Sequence, residues 1–316
     1  MIKIRTLLAG LSLAIVSGLV ASPASAQNVH SWVSSTGTGT ACTRIAPCQH
    51  LFTALPVTIA GGVISLLDQG AAESGQINIT QSVTIRAEGV EGGEASQPLS
   101  GSWIAIQAGP ADVVTLEGLY IAGAGISFQS GAHLHVVRCS MGNSNVAGQS
   151  SIKFQPSGAS KLSVTDTVIS NVGSGTGAGI VINPQSGGNA VVNLERVTIN
   201  GGAFGIAVDG TGSTGGVNLT IADSMIGGNA RDGIVATTPA GGAPIGVMVT
   251  NTKSVNNAFG IRSIGPNVTV RVGDSTVTGN DTGLSFSGGG ALLSFGTNKV
   301  RANGTDGAFS GAVALQ

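Results

Sequence analysis

Residues 218–234, NLTIADSMIGGNARDGI, contain one unit of the pattern that decides the fold of this chain. The unit opens with alternating apolar and polar residues, as a half-buried β-strand does. It continues to Asn229 and then to a Gly-aliphatic step at Gly233 and Ile234. Arg231 and Asp232 stand side by side just before that step. They are either an active-site pair or two residues of a turn that recurs.

The Gly-aliphatic step recurs along the chain at intervals of 23 to 28 residues. An Asn recurs ahead of the step, and alternating runs such as LSVTD and VMVTN precede the Asn. The aliphatic positions are Ile126, Ile152, Ile180, Ile206, Ile234, Ile261, Leu284 and Ala308, and the Asn positions are Asn171, Asn200, Asn229, Asn257, Asn280 and Asn303. Such a period is typical of repeat proteins, in which each unit buries its apolar face against the next.

The segments are too rich in Gly and β-branched residues for helical repeats. Stacking the units would pair their strands in parallel, about 4.8 Å apart. The sequence therefore predicts an all-β fold, a single-stranded right-handed parallel β-helix (solenoid) with a short N-terminal capping helix. A two-sheet sandwich is the alternative, but it gives no reason for a constant period. Within a solenoid, Arg231 and Asp232 are interpreted as parts of a solvated turn.

A second column is predicted at the end of the strand that precedes each Asn corner. Its members are Arg86, Glu117, Arg138, Asp166, Glu195, Asp223, Asn251, Asp274 and Asn298. The first four alternate in charge and predict a ladder of exposed ion pairs.

Asp166, Glu195 and Asp223 would then be three acids in successive turns, with Arg196 or Lys253 near enough to compensate their charge. Calcium accepts oxygen ligands at such spacing, so the three acids are candidate calcium ligands. In a polysaccharide lyase, calcium would acidify a proton next to a uronate carboxyl group, and Arg196 or Arg231 would act as the base. The alternative is that the acids finish turns and face water.

The N-terminus has the pattern of a secretory signal. Lys3 and Arg5 precede an apolar run, and small residues follow it up to Ala26. We therefore expect a signal peptide over 1–26, a cap over 27–61 and the β-helix over 62–316. An exported location, secreted or periplasmic, follows, with no membrane span after signal cleavage.

The cap is predicted to contain a disulfide and a helix. Cys42 and Cys48 read as a disulfide in an exported protein; a metal site with His50 is the alternative. In CQHLFTAL, residues Cys48, Leu51, Phe52 and Leu55 have the spacing of one helical face, so Phe52 is expected to lie in the cap core. Pro47 is placed at the start of this helix and Pro56 near its end.

Two further features concern single strands. His133 and His135 flank Leu134, so both imidazoles are expected on one outer face if Leu134 points inward. Two ligands without a third make a weak metal site. Cys139 is expected to be a free, partly buried thiol.

The composition excludes some partners. Removal of Lys3 and Arg5 leaves 12 basic against 15 acidic residues, a net charge of about −3, and the basic residues are scattered. This distribution does not favour nucleic acid as a partner. Aromatic residues are 3% of the chain, so strong stacking on sugars is not expected.

The columns, with NITQSVTIRAEG at the entry and TLEGLYIAGAGISF next, resemble the pectin-lyase-like right-handed parallel β-helix superfamily over residues 62–316. The leader SWVSSTGTGTACTRIAPCQHLFTAL and the ending LLSFGTNKVRANGTDG are similar to secreted bacterial β-helix proteins of unassigned activity. The superfamily includes lyases, hydrolases, esterases, adhesins and phage tailspikes, so the resemblance implies a fold more than a reaction.

The motifs of the superfamily's enzymes are not found in this sequence. Polygalacturonase-like members carry Asn-Thr-Asp, Asp-Asp and Gly-His-Gly; here the nearest match is Asn251-Thr252-Lys253, and neither Asp-Asp nor Gly-His occurs. We therefore expect an exported, non-catalytic binding protein with polysaccharide as its plausible ligand and no cofactor, calcium being the one considered. A polysaccharide lyase or glycoside hydrolase and an adhesin or assembly protein are the alternatives.

Overall fold

The fold is given by a computed structural model that describes residues 27–68, 76–87, 104–123, 125–142, 147–173 and 175–314. Within these ranges the chain is a parallel β-solenoid of about nine turns, as the repeat predicts. The segment 1–26, for which a signal peptide is predicted, lies outside the described residues.

Three parallel sheets form the walls of the solenoid over the described ranges. The twelve-stranded sheet contains Asn28–Val33, Thr58–Leu66, Val83–Ala87, Val113–Glu117, His133–Val137, Ala159–Thr165, Asn189–Glu195, Val217–Ala222, Ile245–Thr250, Val268–Gly273, Ala291–Ser294 and Gly311–Ala312. The nine-stranded sheet contains Ile77–Ile79, Ile104–Gln107, Ile126–Ser130, Ile152–Phe154, Ala178–Ile182, Phe204–Asp209, Asp232–Thr237, Phe259–Ile264 and Thr282–Ser287. The eight-stranded sheet contains Tyr120–Ala122, Ser140–Gly142, Val168–Ser170, Thr198–Asn200, Met225–Gly227, Lys253–Val255, Thr276–Thr278 and Lys299–Val300.

The predicted aliphatic column lies in the nine-stranded sheet. Strand register places each member from Ile126 to Leu284 opposite the next, and all of them are buried. The column extends two turns toward the N-terminus through Ile104 and Ile77. Its predicted last member, Ala308, is wrong, because it is exposed after the final strand of this sheet has ended.

A ladder of four asparagines, three of them buried, runs inside the corner that precedes the nine-stranded sheet. The Nδ2 of Asn229 donates to the Oδ1 of Asn257 at 2.8 Å, and Asn257 donates to Asn280 at 3.0 Å. Asn280 donates to Asn303 at 2.9 Å, and Asp306 accepts from Asn303 at 2.9 Å. Each Oδ1 from Asn257 to Asn303 also accepts the main-chain N–H of the preceding asparagine. The ladder therefore satisfies main-chain groups that water cannot reach.

The predicted column of six asparagines is wrong for its first two members. Asn200 ends a strand of the eight-stranded sheet, opposite Ser170 and Gly227, and Asn171 follows the strand before it. The main-chain N–H that donates to the Oδ1 of Asn229 belongs to Gly202, two residues beyond Asn200. An Asn at the end of a wall strand and an Asn inside the corner look alike in sequence, because both precede the Gly-aliphatic step.

The cap contains the predicted disulfide between Cys42 and Cys48. Its helix spans Leu51–Val57, so it ends next to Pro56 as predicted, whereas Pro47 lies before the helix and not at its first position. The buried face consists of Leu51, Ala54 and Leu55.

Phe52 does not belong to the cap core, because its side chain is 52% exposed. Its ring stacks on His50, with 4.7 Å between centroids. One residue along a helix turns the side chain by about 100°. In a helix of seven residues this rotation carries Phe52 off the narrow buried face. The sheet itself begins within the segment assigned to the cap, because Asn28–Val33 pairs in parallel with Thr58–Leu66.

No helix in the described ranges has the length and apolarity needed to cross a membrane.

Candidate functional site

Six residues form an exposed column where the twelve-stranded sheet turns toward the eight-stranded sheet. Each follows directly after a strand of the twelve-stranded sheet and has a φ between 43° and 52°. We call this column the polar corner; its members are Arg138, Asp166, Arg196, Asp223, Asn251 and Asp274. Asp and Asn are the non-glycine residues that adopt this left-handed conformation most readily, which explains four of the six.

The predicted charged column mixes the polar corner with the strand ends that precede it. Glu117 lies opposite Val137, and Glu195 lies opposite Thr165 and Ala222, so neither glutamate is in the corner. The early part of the prediction holds in outline: Arg86 lies opposite Glu117, and Arg138 forms an ion pair with Glu117. Those three residues belong to two adjacent files.

Asp166, Glu195 and Asp223 are therefore not stacked acids, because Arg196 stands between Asp166 and Asp223 in the corner. The Nε and Nη2 of Arg196 donate to the two carboxylate oxygens of Asp166 at 2.6 and 3.1 Å, and Nη1 contacts Glu195. Asn251 donates to Asp223 at 2.5 Å. The described residues contain no group of three or more His, Cys, Asp or Glu side chains that could hold a metal. The arrangement that motivated the calcium hypothesis is thus replaced by alternating charge.

The ion pair changes the acidity of both partners. The hydrogen bond from Arg196 lowers the pKa of Asp166, and the hydrogen bonds to Asp166 and Glu195 raise the pKa of Arg196. All three side chains are between 38% and 47% exposed, so water screens the attraction. A raised pKa keeps Arg196 protonated, which opposes the role of base predicted for it.

A shallow depression of about 410 Å³ lies beside the polar corner. Arg196, Thr198, Asp223, Ser224, Met225, Asn251 and Lys253 line it. Lys253 is exposed on the neighbouring eight-stranded sheet and supplies a positive charge next to Asp223. The depression is open to solvent and presents positively charged donors and a negatively charged acceptor, together with neutral polar groups.

The histidine pair lies on the outer face of the twelve-stranded sheet, as predicted. Leu134 is fully buried, and the rings of His133 and His135 stack with 3.7 Å between centroids. The Nε2 of His133 is 2.9 Å from the hydroxyl of Ser163. Partial burial lowers the pKa of His133 to about 4, with smaller effects from the charges of His135 and Lys161. Burial also lowers the pKa of His135.

This lowered pKa predicts a loss of stability in mild acid. Because the pKa of His133 is 6.5 in the unfolded chain and about 4 in the folded chain, the unfolded chain takes up a proton first as the pH falls. The free energy of unfolding should therefore decrease from pH 6.5 toward pH 4 and be unaffected by this group above pH 6.5. We expect His133→Gln to abolish about 1 kcal/mol of the decrease between pH 7 and pH 5, as measured by urea denaturation. Equal pH dependence in variant and wild type would contradict this.

Cys139 is a free thiol with 3% exposure, so it is more deeply buried than the sequence suggests. Its Sγ lies 3.5 Å from the carbonyl oxygens of Leu116 and Val137. Burial raises the pKa of this thiol to about 11. The thiol is therefore protonated and unreactive at neutral pH.

Asp232 is not part of a solvated turn, contrary to expectation. It begins the strand Asp232–Thr237, its exposure is 0%, and its Oδ2 accepts a hydrogen bond from Nη2 of Arg262 at 2.5 Å. The guanidinium of Arg262 lies over the ring of Phe259, 4.4 Å from its centroid. Arg231 is exposed, as predicted, and lies 5.3 Å from the ring centroid of Phe204.

This cluster was missed because its members are about one turn apart in sequence. The only local signal is the series FGIAV, DGIVA and FGIRS, in which the aspartate replaces an aromatic residue found in the turns on either side. Strand pairing places this aspartate between two partly buried phenylalanines, and the arginine in the third segment is its partner.

Comparison with protein-family models, with curated proteins and with solved structures gave no match. The fold and the polar corner define a class on their own: a parallel β-solenoid with a continuous exposed column of charged and amide side chains.

Proposed function

We propose that this chain is an exported, non-catalytic protein that binds polysaccharide along the polar corner and the adjoining outer face of the twelve-stranded sheet. The observation that carries the proposal is the continuity of the polar corner over six successive turns. Successive turns repeat at about 4.8 Å, so the corner offers a regular row of hydrogen-bonding groups to an extended polymer.

The outer face beside the corner adds further rows of polar side chains. Lys161, Asn193, Asn218 and Thr220 are exposed there, and Asn193 lies opposite Thr220 in the adjacent strand. Each contact would be weak, but a polymer engages many of them at once. Affinity would therefore increase with the length of the polysaccharide.

Four features support export, membership of the pectin-lyase-like superfamily and a non-catalytic role. The N-terminal sequence has a secretory pattern, and the disulfide between Cys42 and Cys48 is typical of oxidising compartments. The stacked parallel coils agree with the superfamily. Arg196, a candidate base of a lyase, is paired with two carboxylates and its pKa is raised.

Binding is tested by native electrophoresis of the protein through gels that contain neutral or acidic polysaccharides, with parallel assays for unsaturated ends and new reducing ends. We expect at least one polysaccharide to retard the protein, and we expect neither unsaturated ends nor new reducing ends to form. Product release would replace binding by lyase or hydrolase activity. Self-association without retardation would favour the adhesin or assembly alternative.

Lys253→Ala is expected to raise the dissociation constant obtained from the retardation by about three- to tenfold, because the ammonium group lines the depression at the polar corner. Lys299→Ala is the matched control: strand pairing places both lysines in one file of the eight-stranded sheet, two turns apart, and Lys299 lies outside the depression. Equal effects of the two changes would contradict a site at the corner.

A further inference from the structure

Asp232 is a buried carboxylate that lies between two phenylalanines of the nine-stranded sheet. Strand pairing places it opposite Phe259, and Phe204 begins the strand on its other side. Burial raises the pKa of Asp232, and the charge of Arg262 opposes that effect. A buried charge is costly unless it is hydrogen-bonded, so both oxygens of this carboxylate require donors.

The ion pair leaves one acceptor and one donor without a hydrogen-bond partner in the described part of the chain. Oδ2 of Asp232 is paired with Nη2 of Arg262, but Oδ1 of Asp232 and Nε of Arg262 are buried without a hydrogen-bond partner among the described residues. Both residues line a depression of about 330 Å³, together with Arg231, Ala258 and Phe259. A volume of this size is at the lower end of small-ligand pockets.

The two atoms without a hydrogen-bond partner restrict which ligand fits. An ionised carboxylate can only accept hydrogen bonds and would be repelled by Oδ1, whereas an ammonium group can only donate and would meet two arginines. A hydroxyl group both donates and accepts, so it can satisfy Oδ1 and Nε together. Arg231 adds further donors at the rim, and Phe259 and Ala258 offer apolar surface to C–H groups.

The site is also held in place before a ligand arrives. Arg262 is fixed between the carboxylate of Asp232 and the ring of Phe259. The guanidinium of Arg231 lies over Phe204. Side chains that are ordered in advance lose less conformational entropy on binding.

We propose that Asp232, Arg262 and Arg231 form a subsite for one hydroxyl-rich, uncharged sugar unit, with a sugar hydroxyl donating to Oδ1 of Asp232 and accepting from Nε of Arg262. This subsite rests on the proposed function in taking a polysaccharide as the source of the sugar. It lies on the nine-stranded sheet and is separate from the polar corner.

Binding is tested by saturation-transfer NMR and titration with glucose, galactose, mannose and N-acetylglucosamine, and with glucuronate as the anionic comparison. We expect at least one neutral sugar to bind with a Kd of about 1–10 mM. Asp232→Asn should raise that Kd by about tenfold, because an amide cannot reproduce the second acceptor. Arg231→Gln changes an exposed residue and should raise that Kd by about threefold.

Arg301→Gln is the matched control, because this arginine is 89% exposed in its side chain and lies outside the cluster. The proposal is overturned if neither Asp232→Asn nor Arg231→Gln alters the Kd, if glucuronate binds more tightly than every neutral sugar, or if no neutral sugar binds. If polysaccharide still retards the protein but no neutral sugar binds, only the subsite proposal fails. If the protein shows neither retardation nor sugar binding, the proposed function fails as well.

Discussion

Replacing Asn257 by alanine is expected to lower the free energy of unfolding by about 3–5 kcal/mol. Its Oδ1 accepts from the main-chain N–H and the Nδ2 of Asn229, and its Nδ2 donates to Asn280 and to the carbonyl oxygen of Ile226. Asn257 is 3% exposed, so water cannot replace these bonds. An unpaired buried donor or acceptor costs about 1–3 kcal/mol, and alanine leaves several of them.

The measurement is urea denaturation followed by far-ultraviolet circular dichroism. Asn200→Ala is the matched control, because this asparagine is half-exposed at the end of a wall strand, outside the ladder. It is expected to change the free energy of unfolding by about 0.5 kcal/mol or less. Comparable losses in the two variants would mean that the interior ladder does not stabilise the solenoid.

Gly265→Ala is expected to cost about 4 kcal/mol, since two separate effects add at this position. Its φ is 102°, which L-residues rarely adopt, and a Cβ there would overlap the main-chain carbonyl oxygen of Thr238 in the adjacent turn. The overlap is with backbone, which cannot move without disturbing the hydrogen bond from Thr238 to Ile264.

Gly241→Ala separates the two effects. Gly241 has a φ of 80°, but a Cβ there would have no atom within 4 Å. Its replacement should therefore cost only about 1–2 kcal/mol, the price of the left-handed conformation alone. Thermal or urea denaturation of both variants gives the comparison. If Gly265→Ala were no worse than Gly241→Ala, close packing between turns would not limit this corner.

The aliphatic column was predictable because a glycine marks its register. In each turn from Ile180 to Leu284 the column residue follows a glycine directly, so the same letter could be aligned from turn to turn. The glycine misleads at Ala308. This residue follows a glycine in sequence, but no strand of the nine-stranded sheet continues to it.

The polar corner was predicted one residue out of register at Arg86, Glu117 and Glu195, which lie at the strand ends before the corner. Glu195 and Arg196 are adjacent, and both are polar, so the sequence does not tell which of them occupies the corner. Main-chain conformation decides it: Arg196 has a φ of 52°, whereas Glu195 ends the extended strand. The error mattered, because it created a stack of acids where charges alternate.

Asp232 shows why a local pattern can mislead about burial. Next to Arg231, before a glycine, it reads as a turn residue. Its partner Arg262 is 30 residues away, in the next turn of the solenoid. The two side chains meet only because the strands Asp232–Thr237 and Phe259–Ile264 pair in parallel.

The sequence by itself determined the class of fold and the parallel stacking of its turns, because a linear chain records the spacing of the repeat. It favoured the disulfide of the cap over a metal site, and the structure contains that disulfide. Tertiary structure alone decided which asparagines enter the interior, which charges become neighbours and which aspartate is buried. The physical reason is that a side chain in a solenoid finds its partners in the turns before and after it. Their register depends on single main-chain torsions at the corners.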